Sequence, residues 1–343
     1  MDKKRILFKV NASPRVGFGH FRRSISLAEI MDDANSEIYL QTNENNPLVR
    51  NLSSNFLSVL DFVPDSHDGD PEDLRLLLEA AKKIQADWIV LDGYNYGSDF
   101  EKAIKDENFK LFRIDDLPTH TYYCDVILSQ NYNAEKKDFK IHGNGKRALG
   151  LRYLLLSSQF RKLEIKPKRV NAGPSLKILI TLGGAADILS KALSLLFESS
   201  IQNKEIKHQY SFLIPDRIIH QQFQNQVTTS NIEIAAYTEN IASLMQCHDF
   251  VITTPGSTMW ELLYLGIPFA VLPLNNVQDI YAHELVEDGL CLKLPLLEYC
   301  NSEDVKDLFH AASDPILRQK IVDSFFDIPI RDCTSSQIQD LFL

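Results

Sequence analysis

Basic charge is scarce in this 343-residue sequence: 36 Lys and Arg face 46 Asp and Glu, a formal net charge of −10 at pH 7. So acidic a chain lacks the electrostatic footprint of a protein that captures nucleic acid or an anionic membrane surface in bulk. A small phosphorylated ligand is not excluded, because backbone amides can hold one. Long apolar runs are missing too. No segment reaches membrane-spanning length, and Met1-Asp2-Lys3-Lys4-Arg5 leads into a short β-like stretch rather than a signal-peptide core. Membrane insertion is therefore not expected, and a cytoplasmic location is. The five cysteines, at 124, 247, 291, 300 and 333, are scattered without Cys-x-x-Cys or His-spaced pairs, so neither a disulfide framework nor a zinc site is indicated. Nothing apolar and periodic enough to be an obvious interface stands out, which leaves the oligomeric state open.

The length fits two domains of common size. Apolar strand-like runs alternate with helical patterns, the signature of parallel βαβ units with helices on both faces of a sheet. In the first half, strands are expected at Ile6 to Val10, Ile38 to Thr42, Phe56 to Val63, Asp87 to Asp92, Leu111 to Asp115 and Asp125 to Ser129. Leu74, Leu77, Leu78, Ala81 and Ile84 recur at helical spacing within Pro71 to Gln85. A basic, Pro/Gly-containing stretch over 161–175 reads as an exposed linker. A second series follows, with strands at Lys177 to Leu182, Tyr210 to Ile214, Ile232 to Ala236, Phe250 to Thr253 and Phe269 to Leu274. A helix is expected over Asp187 to Glu198, and helices close the chain at Ser302 to Ser313, Pro315 to Phe326 and Ser335 to Leu343, the last expected near the domain junction. The expectation is an α/β chain of two Rossmann-type parallel-sheet domains, 1–160 and 176–343, facing each other across a cleft.

Two stretches carry chemistry. In Arg15-Val16-Gly17-Phe18-Gly19-His20, a strand turns into a helix through two glycines, which permit a sharp turn and close approach to a ligand. The helix start suits an anionic or electron-rich ligand. His20 stands at its mouth as a side chain able to exchange a proton. The bland alternative is a tight turn with a helix-capping histidine. Asp92-Gly93-Tyr94 and Asp115-Asp116-Leu117 end two later strands at the carboxyl edge, where open α/β sheets place ligands; either Asp92 or Asp115 could orient His20. In the second half, Thr253-Thr254-Pro255-Gly256-Ser257-Thr258 takes a strand through a turn into a helix, a diphosphate cradle without basic residues. Glu261, one turn on, can accept from vicinal hydroxyls or can complete a capping box. Gly183-Gly184 supplies a second candidate anion site.

These motifs resemble, in order from about Phe8 to Gly289, the PseG/SpsG-type UDP-sugar hydrolases. The resemblance rests on Gly17-x-Gly19-His20-x-x-Arg23, Asp92-Gly93-Tyr94, Asp115-Asp116-Leu117 with Cys124-Asp125, and Gly150-x-x-Tyr153 leading to Gln159-Phe160. In the second half it rests on Thr181-Leu182-Gly183-Gly184, Pro255-Gly256-Ser257-Thr258-x-Trp260-Glu261 and Gln278 ahead of a helix. It implies the GT-B architecture shared with MurG, no metal and no cofactor. It also implies hydrolysis of a UDP-linked 2,4-diacetamido-2,4,6-trideoxy sugar with inversion, on the route to pseudaminic acid and so to flagellin glycans or surface polysaccharide. The implied catalytic residue is His20. Gly17, Gly19, Asn11, Asp92, Tyr94 and Asp115 fall on the sugar side; Gly183, Gly184, Gly256, Ser257, Thr258, Glu261 and Gln278 fall on the nucleotide side. Asn11 stands where the family has aspartate, which replaces an anionic acceptor by a group that both donates and accepts. Gly183-Gly184 is followed by Ala185-Ala186-Asp187-Ile188-Leu189, not by a Ser-Asp-Pro-x-Asn type sequence, and a carboxyl-terminal Asp-Gly-x-Gly is not recognisable. A UDP-sugar glycosyltransferase, a nucleotide-sugar 2-epimerase and a non-catalytic sugar-nucleotide sensor are the alternatives.

Overall fold

Strand β1 (Lys4–Val10) sets the pattern of the first half. Ile6, Phe8 and Val10 are buried in one apolar cluster and Leu7 in another on the opposite face, the period-two signature of a strand covered on both sides. The computed structural model describes residues 3–10, 19–32, 35–42, 58–62, 69–163, 165, 170–183, 186–203, 207–236, 238 and 240–343. Asn11, Gly17 and Gly184 lie outside these residues.

The chain divides into two compact units. One comprises residues 1–158 together with 331–343, the other residues 159–330. The first holds a seven-stranded parallel sheet in the order β3-β2-β1-β4-β5-β6-β7, with β2 Ser36–Thr42, β3 Ser58–Phe62, β4 Trp88–Asp92, β5 Lys110–Ile114, β6 Val126–Ser129 and β7 Lys146–Leu149. Helix α1 (Gly19–Met31) packs on the Ile6/Phe8 face. Helices α2 (Pro71–Ile84) and α3 (Ser98–Asp106) pack on the Leu7 face. Local chemistry defines α2 sharply. Asp70 caps it by accepting from the amides of Glu72 and Asp73, Pro71 opens it, and Lys82 and Lys83 sit in its last turn, each matched to the dipole and to the unpaired amides of a helix start.

The second unit holds a six-stranded parallel sheet in the order β10-β9-β8-β11-β12-β13, with β8 Lys177–Thr181, β9 Gln209–Leu213, β10 Ile232–Ala235, β11 Phe250–Thr253, β12 Phe269–Val271 and β13 Leu292–Lys293. Its core gathers Ile178, Ile180, Phe212 and Ile252 from the strands, Leu193 and Phe197 from α4 (Ala186–Gln202), and Val305 and Phe309 from α5 (Ser302–Ser313). Both sheets reverse direction beside their first strand, between β1 and β4 and between β8 and β11. These are the switch points at which open α/β folds bind ligands.

The carboxyl-terminal segment differs from the sequence expectation. It belongs to the first unit, not to a second domain ending at 343. Ile338, Leu341 and Phe342 are buried in the core of the first sheet, where the Phe342 ring stacks on Phe112 at 4.7 Å and meets Trp88 edge-on at 5.0 Å. Gln339 Nε2 donates to Ile30 O at 2.7 Å, and Lys4 Nζ to Phe342 O at 3.0 Å. Apolar burial of Ile338, Leu341 and the Phe342 ring decides where these residues sit.

Candidate active site

Val10, the last residue of β1, lies in register with Asp92, the last residue of β4. The chain leaving β1 re-enters the described residues at Gly19, where α1 begins, so the start of α1 and the end of β4 meet at the switch point. His20 is the second residue of α1, 6% exposed. Its Nδ1 lies 2.7 Å from Asp92 Oδ1 and 2.8 Å from Arg23 Nη2. Nδ1 thus sits between a carboxylate, which only accepts, and a guanidinium, which only donates; in the tautomer that donates Nδ1–H to Asp92, Arg23 Nη2 is served by Asp92 Oδ1 at 2.6 Å and Nε2 keeps the lone pair. Arg23, three residues on along the same helix face, holds Asp92 through both oxygens, Nη2 to Oδ1 at 2.6 Å and Nε to Oδ2 at 2.8 Å. Ser24 Oγ adds a donor to Oδ2 at 2.9 Å. Asp92 is thereby fixed from three sides.

Arg23 also reaches Asp116, Nη1 to Oδ1 at 2.5 Å. Asp116 Oδ2 in turn accepts from Tyr94 Oη at 3.3 Å, and the Tyr94 ring meets the imidazole of His20 edge-on at 4.4 Å while staying 64% exposed. Burial pushes the Tyr94 phenol up, as do Asp116 and Asp92, so the hydroxyl stays protonated and remains a donor. Burial opposes ionisation of Asp92, but the charge of Arg23 and the hydrogen bonds from Arg23 and His20 outweigh it and hold the carboxyl well below its usual range. Asp116 is lowered against its burial in the same way, chiefly by Arg23.

A stability consequence follows from the sign of these shifts. Both carboxyls bind protons less readily folded than unfolded, so their contribution is complete above about pH 4 and drains away as the pH falls through their folded values. The urea midpoint is expected to fall more steeply between pH 5 and pH 3 in the native protein than in Asp92→Asn; parallel slopes would remove Asp92 from the acid sensitivity.

Of the two acids the sequence leaves open as orienters of His20, the structure joins Asp92 to it. Asp115 is occupied elsewhere. It accepts from Arg113 Nη2 at 2.8 Å, Tyr122 Oη at 3.1 Å and the amide of Asp116 at 2.7 Å. Arg113, 1% exposed, donates to Leu91 O at 3.1 Å and Gly93 O at 2.8 Å, the carbonyls on either side of Asp92. Glu101 holds its Nε at 3.1 Å. Arg113 thus fixes the backbone that carries Asp92 and Tyr94, a role without a sequence signal. Ser24 and Asp116 were also unassigned; the spacing of His20, Arg23 and Ser24 on one helix face was the available clue for the first. Gly19 has no left-handed φ, and a Cβ there would meet nothing within 4 Å. The turn therefore does not demand glycine at this position.

In the second unit, Thr181 and Thr253 lie in register at the carboxyl ends of β8 and β11. The turns that follow are tied together: the amide of Gly183 donates to Thr254 Oγ1 and that hydroxyl donates to Gly183 O, each at 3.1 Å. The two candidate anion sites therefore form one structure. With its amide committed to Thr254, Gly183 shapes the site rather than serving as a free donor. Helix α6 (Ser257–Leu265) starts from Gly256 as N-cap with no side-chain cap. Ser257 and Thr258 occupy its first turn, where amides and the positive dipole end face outward. The capping-box alternative for Glu261 does not hold, because a glycine cap has no side chain to share and Glu261 is the fifth helical residue. Gln278 is not ahead of a helix but in the first turn of α7 (Asn276–Glu287). Asn275 Oδ1 accepts from its amide at 3.0 Å, and its own Oε1 accepts from Leu274 N at 2.8 Å. Its oxygen secures the helix entry.

Among the described residues no group of three or more His, Cys, Asp or Glu is placed to hold a metal ion, and no helix is long and apolar enough to cross a membrane.

Comparison with known proteins bears on the fold and on what the chain is similar to. Residues 177–315 match the model of the glycosyltransferase family 28 C-terminal domain. An uncharacterized protein of Methanocaldococcus jannaschii is 28% identical over 283 residues, 80% of this chain but 56% of that protein. The UDP-2,4-diacetamido-2,4,6-trideoxy-beta-L-altropyranose hydrolase of Campylobacter jejuni is 26% identical over 290 residues, 83% of this chain and 97% of that enzyme. Among solved structures, MurG of Acinetobacter baumannii superposes with a TM-score of 0.66 at 14% identity, covering 99% of both chains. The fold is GT-B-like α/β, with two Rossmann-type parallel-sheet units.

Proposed function

We propose that this protein hydrolyses a UDP-linked 2,4-diacetamido-2,4,6-trideoxy sugar to UDP and the free sugar, with inversion at the anomeric carbon and without a metal, in the biosynthesis of pseudaminic acid. The observation that carries the reading is the 2.7 Å contact of His20 Nδ1 with Asp92 Oδ1: with Nδ1–H donated to that carboxylate, Nε2 is a base of fixed direction. Water loses a proton to Nε2 as its oxygen bonds to the anomeric carbon, and the bond to the β-phosphate oxygen breaks with its electron pair leaving on UDP. A single displacement of this kind inverts the centre. Charge developing on the diphosphate is met by the amides of Ser257 and Thr258 at the helix start, with Gly183 and Thr254 holding that loop in shape. Glu261 is assigned to the ribose hydroxyls, and Tyr94 to the border of the sugar pocket. The likeness to the Campylobacter hydrolase across nearly all of that enzyme supports this choice of substrate.

The test is incubation in EDTA with UDP-2,4-diacetamido-2,4,6-trideoxy-β-L-altropyranose and a panel of common UDP-hexoses, followed by 31P and 1H NMR. Release of UDP from the first donor alone, with the inverted anomer appearing first, is expected. The match to a glycosyltransferase domain favours a second reading, transfer of the same kind of donor to an acceptor hydroxyl. Tight donor binding without release would favour it.

A further inference from the structure

We propose that the first unit carries a second ligand site, at the amino-terminal edge of its sheet, and that its ligand is a mononucleotide. The site stands apart from the hydrolytic reading. A cavity of about 530 Å³ opens there, with Trp88, Lys110, Val126 and Lys146 in its wall. These are the first residues of β4, β5, β6 and β7. Asp92 closes β4 at the other end, so strand direction separates the cavity from the candidate active site. The volume is that of a small-molecule pocket, and a lone phosphate would fill only a small part of it.

Its charge is unlike that of the rest of the chain. Lys102, Lys105, Lys110 and Lys146 line it against Asp106 and Asp125, in a protein whose net charge is −10. Lys105 is spoken for, paired with Asp125 at 2.6 Å. Lys110 instead turns to an oxygen of Leu343, the last residue of the sequence, at 3.5 Å, and Lys146 to the main-chain oxygen of Asp340 at 3.4 Å. Contacts that long satisfy an ammonium poorly, which leaves both side chains able to take a phosphate oxygen at closer range. Ring surface lies beside the cations, presented by Tyr123 and the exposed His142, since Trp88 is only 3% exposed. Lys110 Nζ stands 5.1 Å over the Trp88 ring, and the Tyr123 and His142 rings, also in the wall, stack at 4.7 Å with planes 18° apart. Cations for a phosphate next to ring faces for a base fit a nucleoside phosphate better than a bare anion or an uncharged sugar.

The probes are AMP and inorganic pyrophosphate, since the second unit is already proposed to hold UDP. Trp260→Phe leaves Trp88 as the sole tryptophan, so calorimetry and Trp88 fluorescence can be read on one protein. AMP is expected to bind with a stoichiometry of one and to perturb Trp88. Binding is expected to weaken at least tenfold in Lys110→Ala/Lys146→Ala, whose two side chains are exposed; circular dichroism verifies its fold. Pyrophosphate is expected to bind at least tenfold more weakly than AMP. Pyrophosphate binding as tightly as AMP overturns the nucleotide assignment. The site itself is overturned by AMP binding unchanged in the double variant, or by no response to AMP in either heat or fluorescence.

Discussion

His20→Asn is expected to slow UDP release by about 10²- to 10⁴-fold, the contribution of a positioned general base, with KM changed little. The asparagine amide can still place a donor toward Asp92 Oδ1, so the carboxylate keeps a partner where Nδ1 now donates at 2.7 Å. The helix start and the Arg23 contacts with Asp92 and Asp116 are untouched. What disappears is a group that can take a proton from water at the Nε2 position. Steady-state kinetics in EDTA, with a urea melt as the control for folding, separate the two effects. Native-like stability with a rate fall confined to kcat is the expected pair. A variant that releases UDP at close to the native rate would remove His20 from the role of base, and one that loses KM and kcat together would make it a binding group.

How much of this was visible beforehand depends on which interactions are local in the chain. Apolar strand-like runs alternating with helical patterns revealed both parallel sheets, because burial on two faces makes each strand a near-continuous apolar run, as in Ile6, Leu7, Phe8 and Val10. The Gly-x-Gly-His-x-x-Arg run placed His20 and Arg23 on one face of a helix start by spacing alone. Asp92 and Asp115 could not be told apart, because the difference lies in strand order. Asp92 ends β4, which pairs directly with β1, whereas Asp115 follows β5, one strand further out. No residue near either acid encodes that order. Arg113 was illegible for a related reason. A single arginine inside a strand pattern is ordinary, and its work is done on carbonyls 20 and 22 residues away. The return of residues 331–343 to the first sheet likewise rests on where Trp88 and Phe112 present their rings, not on anything in the helical pattern of the segment itself.

The second large effect belongs to Asp92→Asn, which keeps the shape of the side chain and changes what it can accept. An asparagine that turns its NH2 toward His20 forces Nδ1 to accept, so the hydrogen moves to Nε2 and the base is lost. A loss in kcat as large as that of His20→Asn, and at most on the order of 10⁴, the scale seen when a buried aspartate behind a catalytic histidine is amidated elsewhere, is therefore expected. Asp92 also pairs with Arg23, whose burial is nearly complete at 7% exposed, and removal of one member of a buried pair costs about 3–5 kcal/mol. Asp116, still 2.5 Å from Nη1, keeps the guanidinium partly compensated, which puts the expected cost at the lower end, about 3 kcal/mol. The two effects have separate readouts. The urea midpoint reports the lost pair, and 15N chemical shifts of the imidazole report whether the hydrogen has moved from Nδ1 to Nε2. In the proposed mechanism Asp92 acts on the chemistry only through His20, so the losses are not additive, and the double variant is expected to be no slower than His20→Asn alone. A double variant slower by the product of the two single effects would show that Asp92 reaches the substrate by a route of its own.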